Sequence, residues 1–168
     1  MSQYSHSPEA SLLVRDARGR YQPATADQIL AAARQAIDQK MQRGADFGSP
    51  ADVKAYLRAK LAGLDHEIFA VLFLDNRHRL IEYVEMFRGT IDGASVHPRE
   101  VVKEALRFNA AAVIFSHPHP SGNPEPSQAD KAITSRLREA LALIEVRTLD
   151  HVVVAGNETV SFAERGLL

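Results

Sequence analysis

Two histidines separated by a single residue stand in a proline-rich loop that reads His117-Pro118-His119-Pro120-Ser121-Gly122. Proline disfavours the helical conformation in the residue before it, so Pro118 and Pro120 bias both histidines toward an extended backbone. In an extended segment, side chains two positions apart point to the same side, about 6.5 Å apart along the chain. Both imidazoles can therefore converge on one ion.

A carboxylate follows on the first turn of a predicted helix. Asp130 lies on that turn, and a turn at Gly122 can fold the start of the helix back over the histidine pair. Asp130 is therefore the candidate third ligand. Two imidazoles, one carboxylate and one water form a tetrahedral site with an open position, which is typical of catalytic rather than structural zinc.

Each part of this constellation also has an ordinary structural interpretation. Ser127 and Asp130 form a capping box, Ser-x-x-Asp, ahead of an apolar-periodic helix, and a capping box needs no metal. A histidine pair in a proline-rich loop is often a polar surface turn. The joint occurrence of the pair, the turn and the capped helix, directly after a buried strand, favours the metal site.

The composition restricts which chemistries are open to the chain. Its 168 residues, of which 45% are hydrophobic and 24% charged, fit one compact domain with a short appendage. The chain contains no cysteine. Thiol nucleophiles, disulfides, thiolate zinc fingers and iron–sulfur clusters are therefore excluded, and any metal must be held by histidine and carboxylate.

Charge and hydropathy argue against nucleic-acid-binding, membrane and secreted proteins. Twenty Lys and Arg against 21 Asp and Glu give a net charge of -1, which does not support nucleic-acid binding. The apolar run over residues 68–74 is far shorter than the roughly 20 residues of a membrane helix, so we expect no membrane association. Residues 1–10 contain no basic cluster followed by an apolar stretch, so we expect no secretory signal and a cytoplasmic protein.

Two helical patterns begin the chain. Thr25 and Gln28 fit a capping box, and apolar residues follow at helical spacing until the glycine-rich stretch over residues 43–50. A second helix then begins with Ser49 as its N-cap and Pro50 at its first position. We therefore expect residues 1–48 to form an N-terminal helical extension and residues 49–168 to form the main domain.

The main domain is predicted to be α/β, with a mixed central sheet flanked by helices. The predicted strands cover residues 68–74, 80–87, 111–115, 146–155 and 158–162. A helix from Pro98 lies between the second and third strands, and a helix from Ser127 follows the third. The apolar side of the first of these helices is formed by Val101, Val102, Ala105 and Leu106.

The metal-site pattern resembles that of a known family. The pattern resembles the signature of the JAMM (JAB/MPN) metalloprotease domain, and particularly its RadC-like bacterial branch. It consists of His117-x-His119, then seven residues and Ser127, then two residues and Asp130. Further landmarks of that branch stand at residues 64–67, 96–102, 120–122, 149–151 and 160–166. The resemblance covers roughly residues 49–168 and implies a mixed sheet flanked by helices, as in cytidine deaminases.

The resemblance also implies a role for each site residue. His117, His119 and Asp130 would bind one zinc ion per chain. Glu67, at the start of the first sheet strand, would be the general base that takes a proton from the attacking water and returns it to the leaving amine. Ser127 would help to hold the developing oxyanion. Other carboxylates compete with the proposed base by sequence alone, namely Glu82, Glu85 and Glu100.

The implied function is a zinc-dependent hydrolase that cleaves a peptide, isopeptide or related amide bond in a protein or peptide substrate. The alternative is a non-catalytic interaction module of the same fold, associated with DNA repair. The segment before Ser49 shows no glycine hairpin of the helix-hairpin-helix kind that longer RadC-like proteins carry. Pro118 stands where the branch usually has asparagine, which removes an amide side chain and a backbone donor from the loop.

The remaining histidines receive structural interpretations. His66 is expected to point away from Glu67 across the strand. His78 lies in a solvated hairpin turn, and His151 is interpreted as a satisfied core or rim histidine. His97 is interpreted as a helix-entry residue, with a place in the lining of the groove as the alternative.

Overall fold

The computed structural model of the chain describes residues 12–40, 44–89 and 95–168. In chain order the elements are β1 (Leu13–Arg15), β2 (Tyr21–Pro23), α1 (Ala26–Lys40), α2 (Pro50–Leu61), β3 (Glu67–Leu74), β4 (Leu80–Gly89), α3 (Pro98–Arg107), β5 (Ala112–Pro118), α4 (Gln128–Ala142), β6 (Arg147–Ala155) and β7 (Glu158–Ser161). The five-stranded sheet has the order β4-β3-β5-β6-β7, and only β5 and β6 run parallel in it. The predicted mixed α/β fold is confirmed.

Strands β3 and β5 lie at the centre of the sheet because their side chains are almost all apolar. Residues 68–74 and residues 112–118 are buried throughout. Continuous apolar runs of this kind suit strands that are covered on both faces. The two strands are antiparallel, with Ala70 opposite Ser116, so the beginning of β3 lies beside the end of β5.

Helices cover both faces of the sheet. Helix α2 shares one core cluster with Leu72 and Ile114, whereas α3 and α4 share a second cluster with Phe73 and Phe115. Successive side chains of a strand point to opposite faces, so His117 points to the same face as Phe115. The end of β5 therefore presents His117 toward α4.

The segment before α2 contains a hairpin that the sequence analysis did not predict. Strands β1 and β2 are antiparallel, and the Asp16 carboxylate accepts hydrogen bonds from the backbone amides of Arg18 and Arg20 in the turn between them. Three residues per strand are too few for the alternating pattern from which strands are predicted. The capping box of α1 is confirmed, because the amides of Thr25 and Gln28 each donate to the other's side chain.

Helix α1 is held against α2 by polar contacts. The Arg34 side chain donates to the backbone carbonyls of Lys60 and Ala62, and the Lys60 Nζ lies 2.7 Å from the Asp38 carboxylate. No residue of α1 is buried. Ile37 is the partly buried residue of α1 that packs against the core cluster of α2.

Two expectations about element details were wrong. Leu106, placed on the apolar side of its helix, is 60% exposed. Strand β5 does not stop at residue 115 but continues to Pro118, because His117 and Pro118 pair with Val153 and Val154 of β6. His117 therefore lies in a buried strand and not in the following loop.

Some expectations concern residues outside the described ranges. Residues 1–10, considered above for a secretory signal, and residue 43 of the glycine-rich boundary lie there. Within the described ranges, no helix is both long enough and apolar enough to cross a membrane.

Candidate metal centre

The three predicted ligands come together from three places in the fold: the end of β5, the loop after it and the first turn of α4. The Nε2 atoms of His117 and His119 are 2.9 Å apart. The Asp130 carboxylate places Oδ1 3.2 Å from the Nε2 of His117 and Oδ2 3.4 Å from the Nε2 of His119. The three residues thus form a group that could hold a metal ion.

The backbone around the loop holds His119 in place. Its amide donates to the carbonyl of Val154 at 2.8 Å, which extends the pairing of β5 with β6 by one residue. Its carbonyl accepts from the amide of Gly122, whose φ of 77° is readily adopted by glycine. The predicted turn at Gly122 is therefore present.

A side-chain hydrogen bond selects the tautomer of His119. The Nδ1 of His119 is 2.8 Å from the backbone oxygen of Asn123, and a carbonyl can only accept. The hydrogen of the neutral ring must therefore be on Nδ1. The Nε2 that faces His117 and Asp130 is left with a lone pair.

The start of α4 holds the third residue. Ser127 is the N-cap, and its hydroxyl accepts from the amide of Asp130 at 3.1 Å. The amide and hydroxyl of Ser127 each donate to Oδ2 of Asp130 at 2.7 Å. The predicted capping box is confirmed, and it fixes the carboxylate on the side of the histidines.

The electrostatics of the cluster follow from this packing. Burial works to raise the pKa of Asp130, but hydrogen bonds that the protonated rings of His117 and His119 donate to it outweigh burial and hold that pKa well below its usual value. The hydrogen bond to Asp130 in turn raises the pKa of His119. The carboxylate is therefore ionised and stabilises positive charge at the point where the three side chains meet.

The donor atoms lie close enough together for one metal ion to contact all three. Four ligand atoms about 2.1 Å from a tetrahedral zinc ion lie about 3.4 Å from one another. The three observed separations are 2.9, 3.2 and 3.4 Å. Two imidazole nitrogens and one carboxylate oxygen, with no thiolate, are ligands that zinc accepts readily in catalytic sites.

Glu67 lies beside the cluster. It is half-buried at the first position of β3 and lines a pocket together with Ile68, Phe69, Val96, His117, Ala129, Asp130 and Ile133. Its charge contributes to the raised pKa of His119. Two competing carboxylates have other partners, since Glu85 lies 3.2 Å from Arg88 and Glu100 lies 2.9 Å from Lys103. The antiparallel pairing of β3 with β5 brings Glu67 to the site.

Comparisons with known proteins agree with this arrangement. A family model described as the RadC-like JAB domain matches residues 47–167. The chain belongs to the RadC-like JAB domain family.

Relatives of this RadC-like JAB domain cover much of its length. A UPF0758 protein of Vibrio cholerae is 60% identical over 154 residues, which are 90% of this chain and 97% of the relative. Relatives from Marinobacter nauticus and Thioalkalivibrio sulfidiphilus, also named UPF0758 proteins, are 57% and 59% identical over 81% and 83% of this chain. The aligned part spans only 61% and 62% of those two proteins.

His151 is the residue of the RadC-like JAB domain that sequence reasoning placed in the core without connecting it to the site. It is fully buried in β6, and its Nε2 is 2.8 Å from Nδ1 of His117. Burial lowers the pKa of His151 well below its usual value. The landmark at residues 149–151 was the available signal, but only the parallel pairing of β5 and β6 brings His151 beside His117.

Three other histidines of the RadC-like JAB domain do not belong to the group that could hold a metal ion. His66 contacts its neighbour Asp65 at 2.8 Å. His78 occupies the hairpin turn with a φ of 60°. His97 precedes α3 without capping it through its side chain, and its ring lies 6.0 Å from that of Phe87.

Proposed function

We propose that this protein is a zinc-dependent hydrolase that cleaves a peptide, isopeptide or related amide bond with a metal-activated water. The observation that carries the proposal is the convergence of His117, His119 and Asp130 on one point, close enough together to share a metal ion, with Glu67 in the same pocket. Family membership supports it, because the matched region contains all four residues.

Within this proposal, His117, His119 and Asp130 hold one zinc ion per chain. Zinc, when bound, would lower the pKa of a water molecule and polarise the carbonyl of the substrate. The three residues supply one negative charge and two neutral imidazoles. The fourth position is left for water or substrate, as a catalytic site requires.

Glu67 is proposed as the general base. Its carboxylate takes a proton from the attacking water and returns it to the leaving amine, which restores the base for the next turnover. Its position supports this role, since it lines the pocket of the ligands but belongs to a different strand. A positioned general base typically contributes about 10²–10⁴-fold to the rate.

Ser127 is proposed to help hold the oxyanion. In this structure its hydroxyl donates to the Asp130 carboxylate, so the hydroxyl must rotate to donate to a substrate oxygen. The backbone amide of Ser127 also donates to that carboxylate and can keep it in place during the rotation. Helix capping and catalysis can therefore use the same residue.

Pro118 bears on the choice of substrate. It is buried at the end of β5, where its ring stiffens the backbone between the two histidines. Because the asparagine usual in the branch is replaced, we propose that this protein does not use a side-chain amide at this position to bind its substrate. The substrate class is a protein or peptide.

The proposal is tested by metal content and turnover together. Protein expressed with zinc should carry close to one zinc per chain by elemental mass spectrometry, and His117→Ala should lose it. His66→Ala is the matched control and should keep the metal, because His66 lies outside the cluster. Wild-type protein that stays metal-free after zinc-supplemented expression would contradict the proposal.

Turnover is measured on a library of peptides and isopeptide-linked peptides, with products detected by mass spectrometry. Glu67→Gln should keep its zinc and lose about 10²-fold or more in turnover. Unchanged turnover in this variant would remove Glu67 from the mechanism. Zinc-loaded wild-type protein that cleaves no amide bond would favour a non-catalytic interaction module instead.

A further inference from the structure

The ring of His151 is enclosed by aromatic side chains on the face of the sheet that α4 covers. Phe162 stacks on it with ring centroids 4.7 Å apart, and Phe69 and Phe115 meet it edge-on at 5.5 and 5.9 Å. The ring has no exposed surface. Its two nitrogens can therefore be satisfied only by the protein groups that touch them.

The first of these groups is the hydroxyl of Thr134, which lies in α4. It is 2.6 Å from the backbone oxygen of Asp130 and 2.6 Å from Nδ1 of His151. A carbonyl can only accept, so the single hydroxyl hydrogen is donated to Asp130. The contact with His151 is then a hydrogen bond only if Nδ1 of His151 carries the hydrogen.

The hydrogen on Nδ1 of His151 also determines where His117 carries its hydrogen. A second proton on His151 would be a charge buried among aromatic rings with no carboxylate in contact, which is costly. The neutral ring has its hydrogen on Nδ1, so its Nε2 is an acceptor. The contact of 2.8 Å between this Nε2 and Nδ1 of His117 therefore requires the hydrogen on Nδ1 of His117.

We infer that His151 is a positioning residue, which together with Thr134 holds His117 in the tautomer whose Nε2 lone pair faces His119 and Asp130. The inference rests on the proposed metal-binding function of this site. Groups behind a metal ligand commonly fix the tautomer and orientation of a ligating histidine, and losing such a group costs about 10–100-fold in metal affinity. Here a neutral histidine takes the place that a carboxylate or carbonyl often occupies.

The buried chain formed by Thr134, His151 and His117 also connects two ligands. It begins at the main-chain oxygen of Asp130 and ends at the ring of His117. Helix α4 therefore presents one ligand through its first turn and orients another through its second. A displacement of α4 would affect both at once.

The orientation of the His151 ring is fixed from the other side by the end of the chain. Asp150 accepts from the hydroxyl of Ser161 at 2.6 Å and from the amide of Ala163 at 3.0 Å. The amide of Phe162 donates to the carbonyl of His151. These bonds hold the stacked ring of Phe162 against His151.

The tautomer is tested in metal-free wild-type protein by long-range proton–nitrogen NMR of the histidine rings. The inference expects His117 to carry a hydrogen on Nδ1, the nitrogen that faces His151. His151→Phe keeps an aromatic ring among Phe69, Phe115 and Phe162 but has no ring nitrogen. His117 should then populate a mixture of tautomers. Wild-type His117 protonated on Nε2 alone would overturn the inference.

Zinc affinity, measured by competition with a chelator, provides the second readout. His151→Phe should bind zinc about 10–100-fold more weakly than wild type. His151→Gln supplies an amide oxygen in place of Nε2 and should recover most of this loss. Thr134→Val removes the hydroxyl with little change of volume and should also weaken binding, whereas Thr134→Ser should not.

Thermal unfolding of each metal-free variant serves as the control that the variant is folded. If His151→Phe does not fold, Thr134→Val still tests the inference. Folded His151→Phe and Thr134→Val proteins with wild-type zinc affinity would overturn the inference. So would a His151→Gln variant no better than His151→Phe.

The inference and the proposed function fail separately. A wild-type protein that binds zinc in a His151-dependent way but cleaves no amide bond refutes the hydrolase and keeps the positioning role. A wild-type hydrolase whose zinc affinity is unchanged in folded His151→Phe refutes the positioning role alone.

Discussion

Two helices of this protein begin with the same four-residue pattern, Ser-x-Ala-Asp. The first is Ser49 to Asp52 at the start of α2, and the second is Ser127 to Asp130 at the start of α4. The hydroxyl contacts are nearly the same in both, and at α4 the amide of Ser127 also donates to the aspartate. The serine hydroxyl is 2.7 Å from the aspartate carboxylate in each, and the aspartate amide is 3.2 Å from the hydroxyl in the first and 3.1 Å in the second.

The difference lies in what faces the carboxylate. Asp52 is exposed at the start of a helix that covers the opposite face of the sheet. The side chain of Asp130 is only 17% exposed and lies against His117 and His119 at the end of β5. A local motif can therefore build the same helix start twice, while its place in the fold decides which copy can bind a metal.

The largest effect is expected when each aspartate is neutralised in turn. Asp130→Asn removes the charged ligand and should weaken zinc binding by about 100-fold or more. This loss exceeds the roughly 10–100-fold loss of metal affinity that is typical when a residue hydrogen-bonded to a ligand is removed. Asp52→Asn, the matched control, should leave zinc affinity unchanged. Isothermal titration calorimetry of both variants measures the difference.

The stability of the same pair provides a check on folding. Zinc at 100 times its Kd should stabilise wild type and Asp52→Asn by about 2.7 kcal/mol. For a chain of this size that corresponds to a rise in Tm of about 5–10 °C. Equal zinc-induced shifts in the two aspartate variants would show that Asp130 is not a ligand.

A smaller effect is expected from the two serines. Ser49→Ala and Ser127→Ala should each lose about 1 kcal/mol of unfolding free energy, measured by urea denaturation of the metal-free protein, because each removes a helix N-cap. Only Ser127→Ala should also lower turnover. Equal turnover in both variants would limit Ser127 to capping.

The smallest effect is expected at α1. Thr25→Ala removes the N-cap of α1 and should cost about 0.5–1 kcal/mol of local helix stability. Because no residue of α1 is buried, the loss should appear as faster amide hydrogen exchange within α1, with little change in Tm. A fall in Tm as large as that of Ser49→Ala would show that α1 unfolds together with the domain.

Several features were predictable because they depend on near neighbours in the chain. The caps at Thr25, Ser49 and Ser127 each involve residues three apart. The convergence of His117 and His119 follows from the extended backbone that the two prolines favour. Such features need no knowledge of which strands are paired.

Other features were not predictable from local patterns. The hairpin of β1 and β2 is too short to leave a pattern, and Leu106 is exposed although its spacing places it on the apolar side of α3. The continuation of β5 through His117 depends on its pairing with β6. The continuation of β5 is therefore decided by contacts between segments that are distant in the chain, whereas the hairpin is local but too short to be recognised.

The sequence by itself determined the fold class, the capped helices, the extended histidine pair and the absence of thiolate ligands. It also pointed to Glu67, Ser127 and Asp130 as candidates. The tertiary structure decided that Glu67 lies beside the ligands and that His151 lies behind His117. The reason is physical: backbone preferences act over a few residues, whereas the pairing of β3 and β6 with β5 brings together side chains that are far apart in the chain.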